Sequence, residues 1–240
     1  MDSEVAAEKH RDNHSGDRKM KNRGFTIPEV LISMVLVSFL TIVMFEILSR
    51  GREDFFQLEA NTELYANARR GIEEVVRDIR ETDESTVALA NFTDPIDGGV
   101  YQVLAFASAR NAAGNFIVDL SSMPDWQSVE VLCHYTDYAD NGDIGQLRRY
   151  VVYNSSFTFP FKDITVSGSD ISMVSENGIP VSISRDGGRV MANYIKDEAY
   201  EMSDNNISIA YTMSKNITRL KRGARVLEAT LRTGAQMRNR

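Results

Sequence analysis

Gly24-Phe25-Thr26-Ile27-Pro28-Glu29 leads into Val30 to Phe45, sixteen residues without a charge, and the run closes on Glu46-Ile47-Leu48. Phe25 to Leu48 is 24 residues, which as a helix rising ~1.5 Å per residue spans roughly 36 Å, enough to cross a bilayer. Only Glu29 and Glu46 interrupt it. Arg18, Lys19, Lys21 and Arg23 lie just upstream, a cationic cluster that should stay in the cytoplasm while the C-terminal bulk is exported. The expected topology is one pass through the inner membrane, N-in and C-out, with a periplasmic or otherwise extracytoplasmic globular part.

A secretory signal peptide carries its cleavage site after the apolar core, behind small residues. Here the small residue, Gly24, precedes the core. A basic leader, Gly24, the aromatic Phe25, Thr26 and then Glu29, fifth after the glycine, resembles the prepilin signal of type IV pilins and type II secretion pseudopilins. The resemblance implies that the prepilin peptidase cuts between Gly24 and Phe25 and that Phe25 becomes an N-methylated terminus. The apolar helix is then kept, and other pilins or pseudopilins are the expected partners through it.

An acidic side chain in hydrocarbon costs on the order of 2.5 to 3.5 kcal/mol on insertion scales and usually has a functional partner. Cutting before Phe25 would create one, an α-amino cation about 6 Å away along the helix axis. In the family the acid of one subunit is thought to face the N-terminal amine of its neighbour, and the resemblance carries that registry role onto Glu29 and Phe25. The alternative is a lone carboxylate snorkelling at the membrane edge of a signal anchor.

The chain has 240 residues, 42% of them hydrophobic, enough for one good core besides the membrane helix. Its formal charge is −7, and removing residues 1–24, with six Lys/Arg against five Asp/Glu, leaves −8. An acidic exported domain is a poor candidate for direct nucleic-acid binding. Cys133 is the single cysteine, so no intramolecular disulfide forms. Many major pilins carry one, and many have Pro at the position of Glu46, so both features depart from the main-subunit pattern. Glu46 lies 17 residues past Glu29, roughly 25 Å along a helix, at the exported interface.

Residues 1–24 read as a cytoplasmic leader, of which Met1 to Met20 lacks apolar periodicity and is expected to be disordered. Met20 is an alternative start, and His10 and His14 are incidental. Residues 25–48 are the transmembrane and assembly helix, and residues 49–85 its amphipathic continuation. Leu58, Tyr65, Ala68, Ile72, Val75 and Ile79 fall on one helical stripe, widened by Val76. Arg69 with Glu73, Arg70 with Glu74 and Glu73 with Arg77 stand at four-residue spacing opposite it. One helix is expected from about Pro28 to Glu81, with Gly51 its weak point. Arg69 to Thr82, containing Arg77-Asp78-Ile79-Arg80, resembles a segment of J-type pseudopilins and W-type minor pilins.

Residues 86–240 read as an exported β-rich domain. Strand candidates are Val100 to Phe106, Asn115 to Leu120, Val129 to Tyr135, Leu147 to Tyr153, Val181 to Ser184, Ile207 to Met213 and Arg225 to Leu231. Gly-containing turns separate them. The expected fold is α+β, a long helix whose second half packs on one face of an antiparallel sheet. Residues 154–180, rich in Ser, read as an extended loop or weak hairpin.

Catalytic candidates are few. Cys133 and His134 are adjacent, but neighbours on a strand point to opposite faces, which places one in the core and the other outside it and argues against a nucleophile–base pair. Asp137, Asp140, Asn141 and Asp143 offer hard oxygen ligands for calcium, yet the EF-hand spacing is incomplete and a hairpin turn at Asn141-Gly142 is the preferred reading. Lys221, Arg222 and Arg225 read as a solvated turn. No cofactor is expected. The sequence is expected to be a non-enzymatic minor pilin or pseudopilin subunit of an initiating or tip complex, J/W-like, in a type IV pilus or type II secretion pseudopilus. The alternative is a signal-anchored exported adhesin or enzyme.

Overall fold

The computed structural model describes residues 25–94, 98–137, 144–217 and 225–238. It divides into two units, one ending at Arg50 and the other beginning at Gly51. Helix α1 runs from Ile27 to Glu81 and includes Gly51. The chain is thus α+β, one long N-terminal helix followed by an antiparallel β domain.

In the first unit the described residues are α1 up to Arg50 and the two residues before it. Almost every apolar side chain from Phe25 to Leu48 is exposed. Ser33, Ser38 and Thr41 interrupt the apolar surface, but each hydroxyl donates to the carbonyl four residues back, those of Glu29, Met34 and Val37, at 2.7–2.8 Å. No hydroxyl on this segment therefore depends on water. By length and composition it can cross a membrane.

In the second unit, the α1 residues that enter the core are Ala60, Leu64, Ala68, Gly71, Ile72, Val75, Asp78 and Ile79. This corrects the expected stripe at its N-terminal end, because Leu58 and Tyr65 are 64% and 53% exposed whereas Leu64 is fully buried. Three of the buried positions are small. Ala60, Ala68 and Gly71 bring the helix backbone close to the strands, and a Cβ on Gly71 would stand 3.0 Å from that of Ala192.

Five strands, β1 (Ala88–Thr93), β2 (Val100–Ser108), β3 (Ser128–Asp137), β4 (Ile144–Tyr153) and β8 (Arg189–Asn193), form one sheet in the order β1-β2-β3-β4-β8. A second sheet has the order β11-β10-β9, from β9 (Ile195–Ser203), β10 (Asn206–Ile217) and β11 (Arg225–Gln236). A third, β5-β6-β7, is built from β5 (Lys162–Val166), β6 (Asp170–Val174) and β7 (Pro180–Ser184). All pairings within these sheets are antiparallel. The helix shares a core with Leu104, Phe106, Leu132 and Leu147 of the five-stranded sheet and with Tyr200, Ile209, Tyr211 and Ala235 of the β9–β11 sheet. On the other face of the five-stranded sheet, Val103, Ala105, Val131, Cys133 and Tyr150 pack against Ile171, Met173 and Val181. A sheet covered on both sides has no polar face along its central strands, which is why β2 is buried almost end to end.

Of the two readings of residues 154–180, loop or weak hairpin, the hairpin holds: β5 and β6 pair antiparallel, and β7 extends them into a small sheet that covers the second face. Asn115 to Leu120 is not a strand but part of the long β2–β3 connection, held by isolated bridges Arg110 to Phe116 and Val118 to Pro124. Strands β1, β8 and β9 were not anticipated. In β9 the inward positions include Glu198, whose charge breaks the apolar alternation by which a strand is recognised.

Candidate functional site

The first unit presents a built N-terminus. Thr26 is the last residue before the helix, and its carbonyl accepts the first helical hydrogen bond from the Val30 amide at 3.1 Å. The Glu29 carboxylate reaches back to the Thr26 backbone N–H and hydroxyl, both at 2.9 Å. Thr26-Ile27-Pro28-Glu29 is therefore a capping arrangement in which an acid three residues into the helix satisfies an orphan amide. Pro28 sits in the first turn, where a missing N–H costs no helical bond. The same acid stands at the N-terminal end of the helix, where the amides have no intrahelical partner. This role of Glu29 was legible as Thr-x-x-Glu before an apolar run, a signal overshadowed by the oddity of a carboxylate in a membrane segment. Phe25 is 82% exposed beside it. Gly24 lies outside the described residues. Glu46 pairs with Arg50 one turn on.

At its far end α1 is tied to the sheet by charge. Asp78, which is buried, stands 3.1 Å from the Arg149 guanidinium on β4, and Arg149 stands 2.7 Å from the buried Glu130 on β3. Burial pushes both carboxyl groups up, and Arg149 opposes that rise at each of them. Glu81 receives two bonds from Arg110, at 2.6 and 2.8 Å, and Glu74 pairs with Arg189 of β8 at 3.1 Å. Of the anticipated pairs along the helix, Arg69–Glu73 forms at 2.7 Å, whereas Arg77 pairs with its neighbour Asp78 at 3.2 Å. The Arg77-Asp78-Ile79-Arg80 segment thus buries Ile79 in the core and Asp78 in an ion cluster.

A second buried pair joins the smaller sheet to the larger one. Arg185, fully buried after β7, stands 2.8 Å from the buried Asp94 and donates to the carbonyls of His134 and Ser167, both at 3.0 Å. Tyr150 donates from its hydroxyl to the Arg185 carbonyl at 2.6 Å.

Cys133 and His134 are both buried, which corrects the expectation that one would lie outside the core: each face of β3 has its own packed layer. The Cys133 thiol donates to the His134 carbonyl at 3.3 Å. The imidazole stacks on Tyr101 with ring centroids 3.7 Å apart, and its Nε2 lies 3.2 Å from the Ile195 carbonyl. Thiol and imidazole are not hydrogen-bonded to each other, and burial pushes the thiol pKa far up, away from the reactive thiolate. Glycine at 145 makes room for this packing, since a Cβ there would overlap both the Ile195 carbonyl and the His134 ring.

Strands β3 and β4 pair down to Asp137 opposite Ile144, which frames the expected hairpin. Asp140, Asn141 and Asp143 lie outside the described residues, as does the side chain of Asp137, so the calcium reading concerns residues the structure does not describe. The turn containing Lys221 and Arg222 does too. Among the described residues no group of three or more His, Cys, Asp or Glu is placed to hold a metal ion.

Compared with known protein families, residues 19–45 match the prokaryotic N-terminal methylation motif. The match covers Lys19, Lys21 and Arg23 of the basic cluster, Gly24 to Glu29 and the apolar helix to Phe45. No curated protein and no solved structure matches the chain.

Proposed function

We infer, because residues 19–45 carry the methylation signal of type IV pilins and pseudopilins, that this chain is a prepilin-like structural subunit. The prepilin peptidase cuts it between Gly24 and Phe25 and the new amine on Phe25 is methylated. The apolar helix from Phe25 to Leu48 then holds the subunit in the inner membrane, N-in and C-out, until it packs against the helices of other pilins or pseudopilins. The observation that carries this reading is the order Gly24, Phe25, Thr26 and Glu29 ahead of a fully exposed apolar helix. A leader cut after its apolar core would discard that helix, whereas this signal keeps it.

Glu29 has two engagements within reach of its two oxygens. One caps its own helix at Thr26. The other is the cationic terminus of a neighbouring subunit, which sets axial register. A minor, J/W-like subunit that initiates or caps the filament fits best. The Arg77-Asp78-Ile79-Arg80 segment supports it, as do the absence of a disulfide and Glu46 in place of proline.

The test is the N-terminal residue and mass of the protein recovered from membranes with and without the prepilin peptidase. An N-methylated Phe25 that depends on the peptidase is the expected result. An intact leader in both samples overturns the reading in favour of a signal-anchored exported adhesin or enzyme.

A further inference from the structure

The β2–β3 connection, from Ala109 to Gln127, is long for a link between adjacent antiparallel strands, yet it is ordered by its own bonds. Asn111 accepts from the Ala113 and Asn115 amides, and Asp119 from those of Ser121 and Met123, all at 2.8–3.0 Å. Arg110 clamps the base, bonding Glu81 of α1 with one side of its guanidinium and the Gly114 carbonyl with the other at 2.8 Å. What this framework holds outward is apolar: Phe116, Val118 and Met123 are 36–50% exposed and Leu120, at the tip, is completely exposed. Ordering a loop costs conformational entropy, and ordering it to display a leucine to water brings no return within the fold.

The charges indicate what covers it. Between Asn111 and Gln127 there is no Lys, Arg or His, and the acids are Asp119 and Asp125. Segments that dip into membrane surfaces add cations to their apolar residues to meet anionic lipid, so this finger has the wrong sign for a bilayer. A second copy of this chain, at −7 overall, is disfavoured by like charge. We propose that the Phe116–Met123 finger is a preformed plug for an apolar pocket rimmed by Lys or Arg on a different protein, with Leu120 as its buried anchor. Apolar anchors seated in desolvated pockets carry most of the energy of such contacts, and preorganisation spares the ordering cost at binding.

The test places a photoreactive benzoyl-phenylalanine at Leu120 of the full chain, in cells that make the chain and its natural partners, and identifies the cross-linked peptide by mass spectrometry. The expected result is one peptide from another protein that contains apolar residues beside Lys or Arg. Its yield should fall about tenfold when Phe116 and Val118 are both replaced by Ser, and several-fold with Asp125→Lys. Adducts with a second copy or with lipid overturn the proposal. So does no adduct, or a yield that neither substitution changes. The state of the leader is read in the same sample, so failure of the finger and failure of the prepilin reading are distinguishable.

Discussion

At Glu29 substitution separates the cap on Thr26 from the proposed engagement of a neighbour's amine. A glutamine at position 29 retains an oxygen for the Thr26 amide, because Gln also serves in capping arrangements, but it carries no charge for a neighbour's amine. Glu29→Gln should therefore leave helix formation and membrane insertion intact while removing the subunit from filaments, measured by sheared-filament content against membrane content. Normal incorporation would reduce Glu29 to a cap. Glu198 makes the opposite case, a carboxyl whose charged form burial disfavours. It is buried on β9 and neither oxygen accepts a well-formed hydrogen bond. Burial drives its pKa well up, Asp197 adds to the rise, and the backbone N–H groups of His134 and Gln102 offset part of it. The folded form thus holds the proton more tightly than the unfolded chain. That contribution to stability is complete below the ordinary glutamate range and is lost as pH rises towards the raised folded value. Asp78 and Glu130 shift in the same direction, so the informative quantity is the difference between proteins. Glu198→Gln should flatten the decline in denaturation midpoint between pH 5 and pH 8 and exceed the parent at pH 8. An unchanged slope would place the pH dependence elsewhere.

At the scale of elements, the phase of α1 can be tested by two leucines. Leu64→Ala should cost about 2–5 kcal/mol, the range for emptying a buried leucine site, while Leu58→Ala should stay within about 0.5 kcal/mol, as for an exposed position. Urea unfolding in detergent reads both, and equal costs would restore the stripe inferred from sequence. That stripe was out of phase at its start, taking Leu58 and Tyr65 where Ala60 and Leu64 are buried. Leu58 and Tyr65 look like core, but Ala60 and Gly71 mark where the backbones meet. The helix itself was legible almost to its last residue, from the uncharged run and its amphipathic continuation. So were the β3–β4 pair and strands β10 and β11, where β-branched and aromatic residues run together. Strands β5 and β6 were legible only as the weak-hairpin alternative to a loop, because each is five residues long and supported by a sheet that alternation along the chain cannot reveal. Asn115 to Leu120 erred in the other direction: it alternates like a strand, but no strand stands beside it among the described residues, and strand identity is a property of pairs. In the candidate site, Phe25 and Glu29 were visible as chemistry, whereas the Asp78–Arg149–Glu130 cluster joins residues up to 71 positions apart, which no local pattern discloses.

For the whole molecule, the second unit has its own core, in which α1 from Ala60 to Ile79 is sealed by two sheets. A chain beginning at Gly51 should therefore fold without detergent and unfold with the same midpoint as the second unit of the full chain, followed by circular dichroism. Aggregation on refolding would show that the first half of the helix is needed for more than anchorage. The first unit behaves in another way, and the reason lies in Ser33, Ser38 and Thr41. Because their hydroxyls are turned back onto the helix, they present no hydrogen-bonding demand to whatever surrounds them, lipid tails or the sides of other helices. Exchange of one environment for the other is then neutral in hydrogen bonds for those three side chains. Between Phe25 and Phe45 only Glu29 has a charged side chain, so in the proposed assembly a single carboxylate gives direction to an exchange to which the three hydroxyls are indifferent.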